Sequence, residues 1–445
     1  MIVVAIPIMI QSGVTNFVSL LDNIMVGQIG TLQMSGVSIV NQLMFVFNLC
    51  VFGAMSGAGI FTAQFYGKKD NGGVKNTMQY KLMFALFLSA VGIAAFVSAG
   101  DIMIASYLQG EAAVGDTEIV AEYCRSYLGI MLLGLAPFAF SQAYASTLRE
   151  TSDRVIPMIS TVAAVLVNLV LNYILIFGHF GAPELGIEGA AIATVISRYV
   201  EFAILVLWSH THKKKYPFIK GLFSSTTITR SFLSKVTLIS LPLLANEALW
   251  ASGMAVLNQC YSVRGLDVVA AINIVSTITN VFNVAFISFG SAIGIVLSQM
   301  LGAGEKKKAK LASTRLLFFA VSSVVVIGLV MMCFAPVFPK IYNTSEEIRS
   351  LATMLIIVAA AFMPVHSFVN ACYFTLRSGG KTGITFLFDS GFVWIVAIPL
   401  AFVLSRFTDV PILPMYIIIS AADIVKCVMG YIFVKKGVWL NIIVE

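Results

Sequence analysis

The chain has 445 residues, 59% hydrophobic and 11% charged, with a formal net charge of +7 and a mean hydropathy of +0.93. A soluble domain carries about 25% charged residues, so a soluble fold is excluded and an all-α polytopic membrane protein follows. The positive charge would suit nucleic acid, but its placement along the chain gives it a different meaning.

A bilayer-spanning helix needs about 20 mostly apolar residues. Twelve segments meet this: 2–26, 34–62, 78–99, 122–147, 155–178, 188–208, 236–260, 268–298, 312–336, 349–374, 383–404 and 412–434. The first has neither a basic leader nor a small-residue cleavage site, so it reads as a span and not as a signal peptide. Basic residues fall in alternate loops: Lys68, Lys69, Lys75 and Lys81; Arg149 and Arg154; Lys213 to Lys215, Lys220, Arg230 and Lys235; Lys306 to Lys308, Lys310 and Arg315; Arg377 and Lys381; Lys435 and Lys436. These are 21 of the 28 Lys and Arg residues. The positive-inside rule makes those loops and both termini cytoplasmic, in a multi-pass protein of the cell membrane. The net charge is therefore a topology signal, and no nucleic-acid partner is expected.

The stretch Gly30 to Gly67 recurs, without a gap, 235 residues later as Gly265 to Gly302. Eleven of 38 positions are identical, among them Asn48/Asn283, Ser56/Ser291, Gly59/Gly294, Gln64/Gln299 and Gly67/Gly302. Offsets of 227 or 228 pair Pro137 with Pro364, Leu148-Arg149 with Leu376-Arg377, and Arg198 with Lys426. The repeat unit is half the chain. It gives an N-terminal six-helix lobe at 1–208, a cytoplasmic linker at 209–235 and a C-terminal six-helix lobe at 236–445. Six helices per half make the repeats parallel, related by an axis along the membrane normal. The linker holds His210 and His212 beside three consecutive lysines, which reads as a solvated loop and not as a metal site.

An ionisable group inside a span is costly and is a functional hypothesis by default. Asp22, Glu201, Glu247, Asp389 and Asp423 fall inside spans, as do Arg198 and Lys426. Arg198 with Glu201, and Asp423 with Lys426, are three residues apart on one helix face, a spacing that allows structural ion pairs. Asp22 and Glu247 have no base nearby in sequence and fall on Leu257 and Ser12 in the repeat. Such carboxylates can load and release a proton, or bind Na⁺ through oxygen. Asn168 and Asn172 share a face of span five and Thr194 lies on span six; they are either further oxygen donors or interhelical hydrogen-bonders. Asp389 and His366 are secondary candidates. No GxxxxGK[ST], HExxH or GxSxG stretch is present, so neither an ATP-driven pump nor an enzyme is expected. The six cysteines lie in apolar runs without CxxC spacing and read as small core residues. No cofactor and no metal is expected.

Several runs together resemble the multidrug and toxic compound extrusion (MATE) transporters over nearly the whole chain. They are Leu21-Asp22-Asn23-Ile24-Met25-Val26-Gly27, Ala63-Gln64-Phe65-Tyr66-Gly67, the Asn168 to Gly178 run, the Leu185 to Arg198 run, Leu241-Pro242 with Glu247, and Leu376-Arg377-Ser378-Gly379-Gly380. The resemblance implies two six-helix bundles in a V, a monomer, and antiport: an H⁺ or Na⁺ gradient drives export of amphipathic, cationic drugs or toxic compounds. It also implies a proton or cation site at Asp22, joined by Asn168 and Thr194, with Asn172 where some members carry an acid. Glu247 matches an acid of the second lobe in Na⁺-coupled members, whereas the comparable part of span ten, Pro364-Val365-His366-Ser367, has none. The alternative is a flippase for lipid-linked oligosaccharide or peptidoglycan precursors, within the wider superfamily. A pyrophosphate cargo calls for several bases in the cavity, and the spans hold two.

Overall fold

A computed structural model describes residues 2–108, 114–224 and 228–444. Among these residues there is no strand, and twelve helices are long and apolar enough to cross a membrane. They are α1 (Val4–Gly27), α2 (Thr31–Gly67), α3 (Asn71–Leu108), α4 (Thr117–Glu150), α5 (Val155–Phe177), α6 (Gly186–Thr211), α7 (Arg230–Ser262), α8 (Leu266–Gly302), α9 (Lys306–Phe334), α10 (Glu346–Ser378), α11 (Thr382–Phe407) and α12 (Ile412–Lys436). Each coincides with a segment expected from hydropathy. Several run further, because polar residues can continue a helix once it has left the hydrocarbon. At 37 residues, α2 is about 55 Å long at 1.5 Å per residue.

The repeat is visible in how helices end. After α2, Asp70 N donates to Phe65 O and Lys69 takes φ 64°. After α8, Glu305 N donates to Met300 O and Gly304 takes φ 77°. All three pairs of positions correspond at the 235-residue offset. Both ends are left-handed C-terminal caps, one using glycine and the other paying for lysine at the same dihedral.

The chain divides into two compact units. The first, here the N-unit, contains Ile10–Thr62 and Asn71–Ser234; the second, the C-unit, contains Met1–Met9, Ala63–Asp70 and Lys235–Glu445. The start of α1 and the end of α2 thus belong with the second half of the sequence. Within the C-unit, Val4 and Ala5 join the core of α7 to α12. There the ends of α2 and α8 meet at paired glycines. A Cβ on Gly67 would lie 1.9 Å from Gln299 O, and one on Gly302 would lie 1.9 Å from Gln64 O. Any side chain at either position would force the helices apart, which explains why this glycine is the same in both copies. The N-unit core is built on Val40, Phe47, Leu135, Ala139 and Ala191.

Two loop readings change. Lys81 is not a loop charge: it lies within α3, fully buried, with its Nζ 2.5 Å from Glu150 Oε2 and bonded to Ser146 and Thr147. Within 209–235 the part from Tyr216 to Leu222 is docked, while Lys213, Lys214 and Lys215 stay exposed. Tyr216, Phe218, Ile219 and Leu222 are buried, Gln79 Nε2 donates to Leu222 O at 2.7 Å, and Lys215 Nζ lies 2.5 Å from Asp153 Oδ2. His210 bonds Tyr144 Oη at 3.1 Å, and His212 stacks on Trp208.

Candidate functional site

In the N-unit, α1, α5 and α6 bring Asp22, Asn168, Asn172 and Thr194 together. Asn172 Nδ2 donates to Asp22 Oδ1 at 2.7 Å. The neighbours of Asn168 favour its amide nitrogen facing Asp22, where it donates to both carboxylate oxygens at 3.1 Å. The other amide atom of Asn168 then faces Thr194 Oγ1, 3.3 Å away. The four-residue spacing of the asparagines puts both amides on one face of α5, so a single helix supplies two donors to one carboxylate. Asn172 Oδ1 is buried and has no hydrogen-bond partner among the described residues. A carboxylate beside an uncommitted amide oxygen can take up a proton or coordinate a small cation through oxygen. Tyr127, buried on α4, lies beside Thr194. It passes unnoticed in the sequence because an isolated tyrosine in a span reads as an interfacial or core aromatic.

Arg198 and Glu201 share a face of α6, but among the described residues they make no direct ion pair. Pro137 cannot donate to the carbonyl of Leu133, and a 3₁₀ turn at Leu132–Gly134 precedes it in α4. Tyr199 Oη donates to Leu133 O at 3.3 Å and Arg198 Nη1 donates to Gly134 O at 3.3 Å. Arg198 also lies over the Phe138 ring at 5.1 Å. Tyr199 thus takes the carbonyl that the proline has freed, while Arg198 bonds the next one, at the start of the helical stretch that follows. Glu201 accepts from Thr161 Oγ1 at 2.6 Å, and Thr161 accepts from Gln11 Nε2 at 2.8 Å.

The C-unit also departs from the expected pairing. Lys426 bonds Asp389, Nζ to Oδ1 2.7 Å, and Asp423 faces His366 at 3.4 Å. Asp389 sits in the π-helical turn Leu387–Gly391 of α11, a helix defect that re-aims side chains and recurs at functional sites. The turn is held by Asn246 on α7. Asn246 Nδ2 donates to Asp389 Oδ2 at 3.0 Å, and its Oδ1 accepts from Ser390 N at 3.2 Å and Ser390 Oγ at 2.8 Å. With its second oxygen taken by Asn246, Asp389 reaches Lys426 better than Asp423 does along the helix. Glu247, the next residue on α7, lies in the field of Arg377 and Asp389. Asn246 has no charge and adjoins an acid that draws attention first, so the sequence did not single it out.

The MatE family profile matches residues 7–174 and 242–403. The probable multidrug resistance protein NorM of Thermotoga maritima is 23% identical over 444 residues, covering 99% of this chain and 92% of that protein. The probable multidrug resistance protein YoeA of Bacillus subtilis is 25% identical over 432 residues, covering 96% and 91%. A solved structure described as the outward-facing conformation of a multidrug resistance MATE family transporter superposes with a TM-score of 0.89 at 19% identity, covering 98% of this chain and 95% of that one. With matches in both halves of the repeat and twelve apolar helices in the same arrangement, the chain belongs to the MatE family of multi-pass membrane proteins.

Proposed function

We propose that this protein is a secondary multidrug efflux transporter, exporting amphipathic cationic compounds in exchange for H⁺, with Na⁺ as the alternative coupling ion. It acts as a monomer in the cell membrane with both termini cytoplasmic, and the halves 1–208 and 236–445 move as its two lobes. The observation that carries this reading is Asp22, which is held by two amides and, among the described residues, by no base. Such a carboxylate is free to alternate between a proton and a competing cation. An amide donor steadies the charged form without neutralising it, which Arg or Lys at that position would do. The names of the NorM and YoeA relatives support the cargo class. Arg198 and Lys426 are already bonded to Gly134 and Asp389, so no observation favours a pyrophosphate-lipid cargo. The test is ethidium accumulation in cells stripped of their own efflux pumps. Expression of the protein should lower accumulation, and Asp22→Asn at equal membrane abundance should restore it. Full efflux by Asp22→Asn would sink the proposal.

A further inference from the structure

The C-unit contains a second charged site with a different construction. Lys426 Nζ lies 2.7 Å from Asp389 Oδ1, 5.5 Å from the centre of the Phe388 ring and 5.9 Å from that of Phe392. A carboxylate flanked by two aromatic faces is the chemistry that recognises an organic ammonium. Here the ammonium belongs to the protein.

The fold does not require an ion pair at this place. At the repeat offset of 228, Asp389 corresponds to Thr161 and Lys426 to Arg198. In the N-unit those positions are occupied by a neutral hydroxyl bonded to Gln11 and Glu201, and by a guanidinium on a backbone carbonyl. The C-unit keeps the amide contact, through Asn246, and adds charge to it. The carboxylate is also the more open partner: the Asp389 side chain keeps 19% of its surface accessible, against 6% for Lys426. A ligand can therefore approach Asp389 before Lys426 leaves. Lys426 has somewhere to go, since Asp423 lies three residues earlier on the same helix face, with His366 as its present neighbour at 3.4 Å.

We propose that Asp389, Phe388 and Phe392 form a binding site for a monovalent organic cation, and that Lys426 is its built-in competitor, giving way to the ligand by turning to Asp423. The site stands apart from the reading of Asp22. It would set which cations the C-unit admits, because a ligand must displace a tethered ammonium to enter.

The test uses the purified full chain in detergent, with Asp22→Asn in every sample so that the first site does not contribute, and tetraphenylphosphonium as the probe in titration calorimetry. Lys426→Met should bind the probe about tenfold more tightly than its Lys426 parent, as expected for removing a competitor worth about 1.4 kcal/mol. Lys426→Arg should stay at the parent value, and Asp389→Asn with Lys426→Met should lose the gain. Lys426→Gln, whose amide can still donate to Asp389, keeps the test open if the methionine variant does not elute as a single species; a gain of about threefold is expected for it. No gain in either variant, or a gain that survives Asp389→Asn, overturns the site. A gain for sodium ions without one for tetraphenylphosphonium overturns the organic-cation assignment.

Discussion

Gln11 donates to Thr161 at 2.8 Å, and the same bond recurs one repeat later, where Asn246 donates to Asp389 at 3.0 Å. An amide on the first helix of each half reaches the fifth. The partners then diverge: Thr161 donates onward to Glu201, whereas Asp389 accepts a second bond, from Lys426. Asn246 also holds Ser390 through its backbone N and its hydroxyl. A membrane hydrogen bond contributes about 0.6 kcal/mol on average, and one to a charged group about 1.5–3 kcal/mol. Gln11→Ala should therefore cost about 1 kcal/mol and Asn246→Ala about 2–4 kcal/mol. Thermal melting of the two purified variants checks the order; equal losses contradict it.

Helix positions were legible because hydropathy, loop charge and the repeat all depend on residue type alone. Asp22, Asn168, Asn172 and Thr194 were legible for a related reason: polar groups stand out in apolar spans, and three of the four lie on helices adjacent in sequence. Pair partners were not. Arg198 and Glu201 look like an ion pair at a spacing of three, but the fold gives each a partner on another helix, Gly134 O for Arg198 and Thr161 for Glu201. Lys426 and Asp423 look the same, and the π-helical turn that brings Asp389 to Lys426 has no spacing signature. Lys81 looked like a loop charge because a helix that continues past the membrane is indistinguishable by composition from a loop.

Lys81 and Glu150 form a buried pair 2.5 Å apart, with Ser146 and Thr147 as further acceptors for the ammonium. Removing one partner from such a pair strands a charge and costs about 3–5 kcal/mol, whereas removing both together is close to neutral. Lys81→Met should collapse the yield of monodisperse protein, and Lys81→Met with Glu150→Gln should recover most of it. Fluorescence-detected size exclusion reads both. A single variant as abundant as the parent would show that the pair contributes little.

Asp153 ties the linker to the turn between α4 and α5. Burial pushes its carboxyl up, but the bonds from Lys215 and Tyr216 prevail and hold it below the usual carboxylate range. A carboxyl lowered on folding stabilises fully above its unfolded value of about 3.9, and that stabilisation is lost as pH falls through the folded value. Trp208 Nε1 bonds Tyr216 Oη at 3.3 Å, so tryptophan fluorescence reports on docking. The parent should hold its signal at neutral pH and lose it only in acid below about pH 4. Asp153→Asn should show the undocked signal already at neutral pH, with faster tryptic cleavage at Lys213 and Lys214. An unchanged signal in that variant would mean that the buried aromatic residues alone dock the linker.

The central claim is that Asp22 exchanges a proton for a cationic cargo. Its most direct test is release of ethidium from liposomes containing the purified protein, first under an imposed H⁺ gradient, then under a Na⁺ gradient at fixed pH. The account predicts release driven by H⁺ alone and abolished by Asp22→Asn, with the variant folded and inserted as the parent is. Release by Asp22→Asn at the parent rate would contradict it, as would release that follows Na⁺ and ignores H⁺.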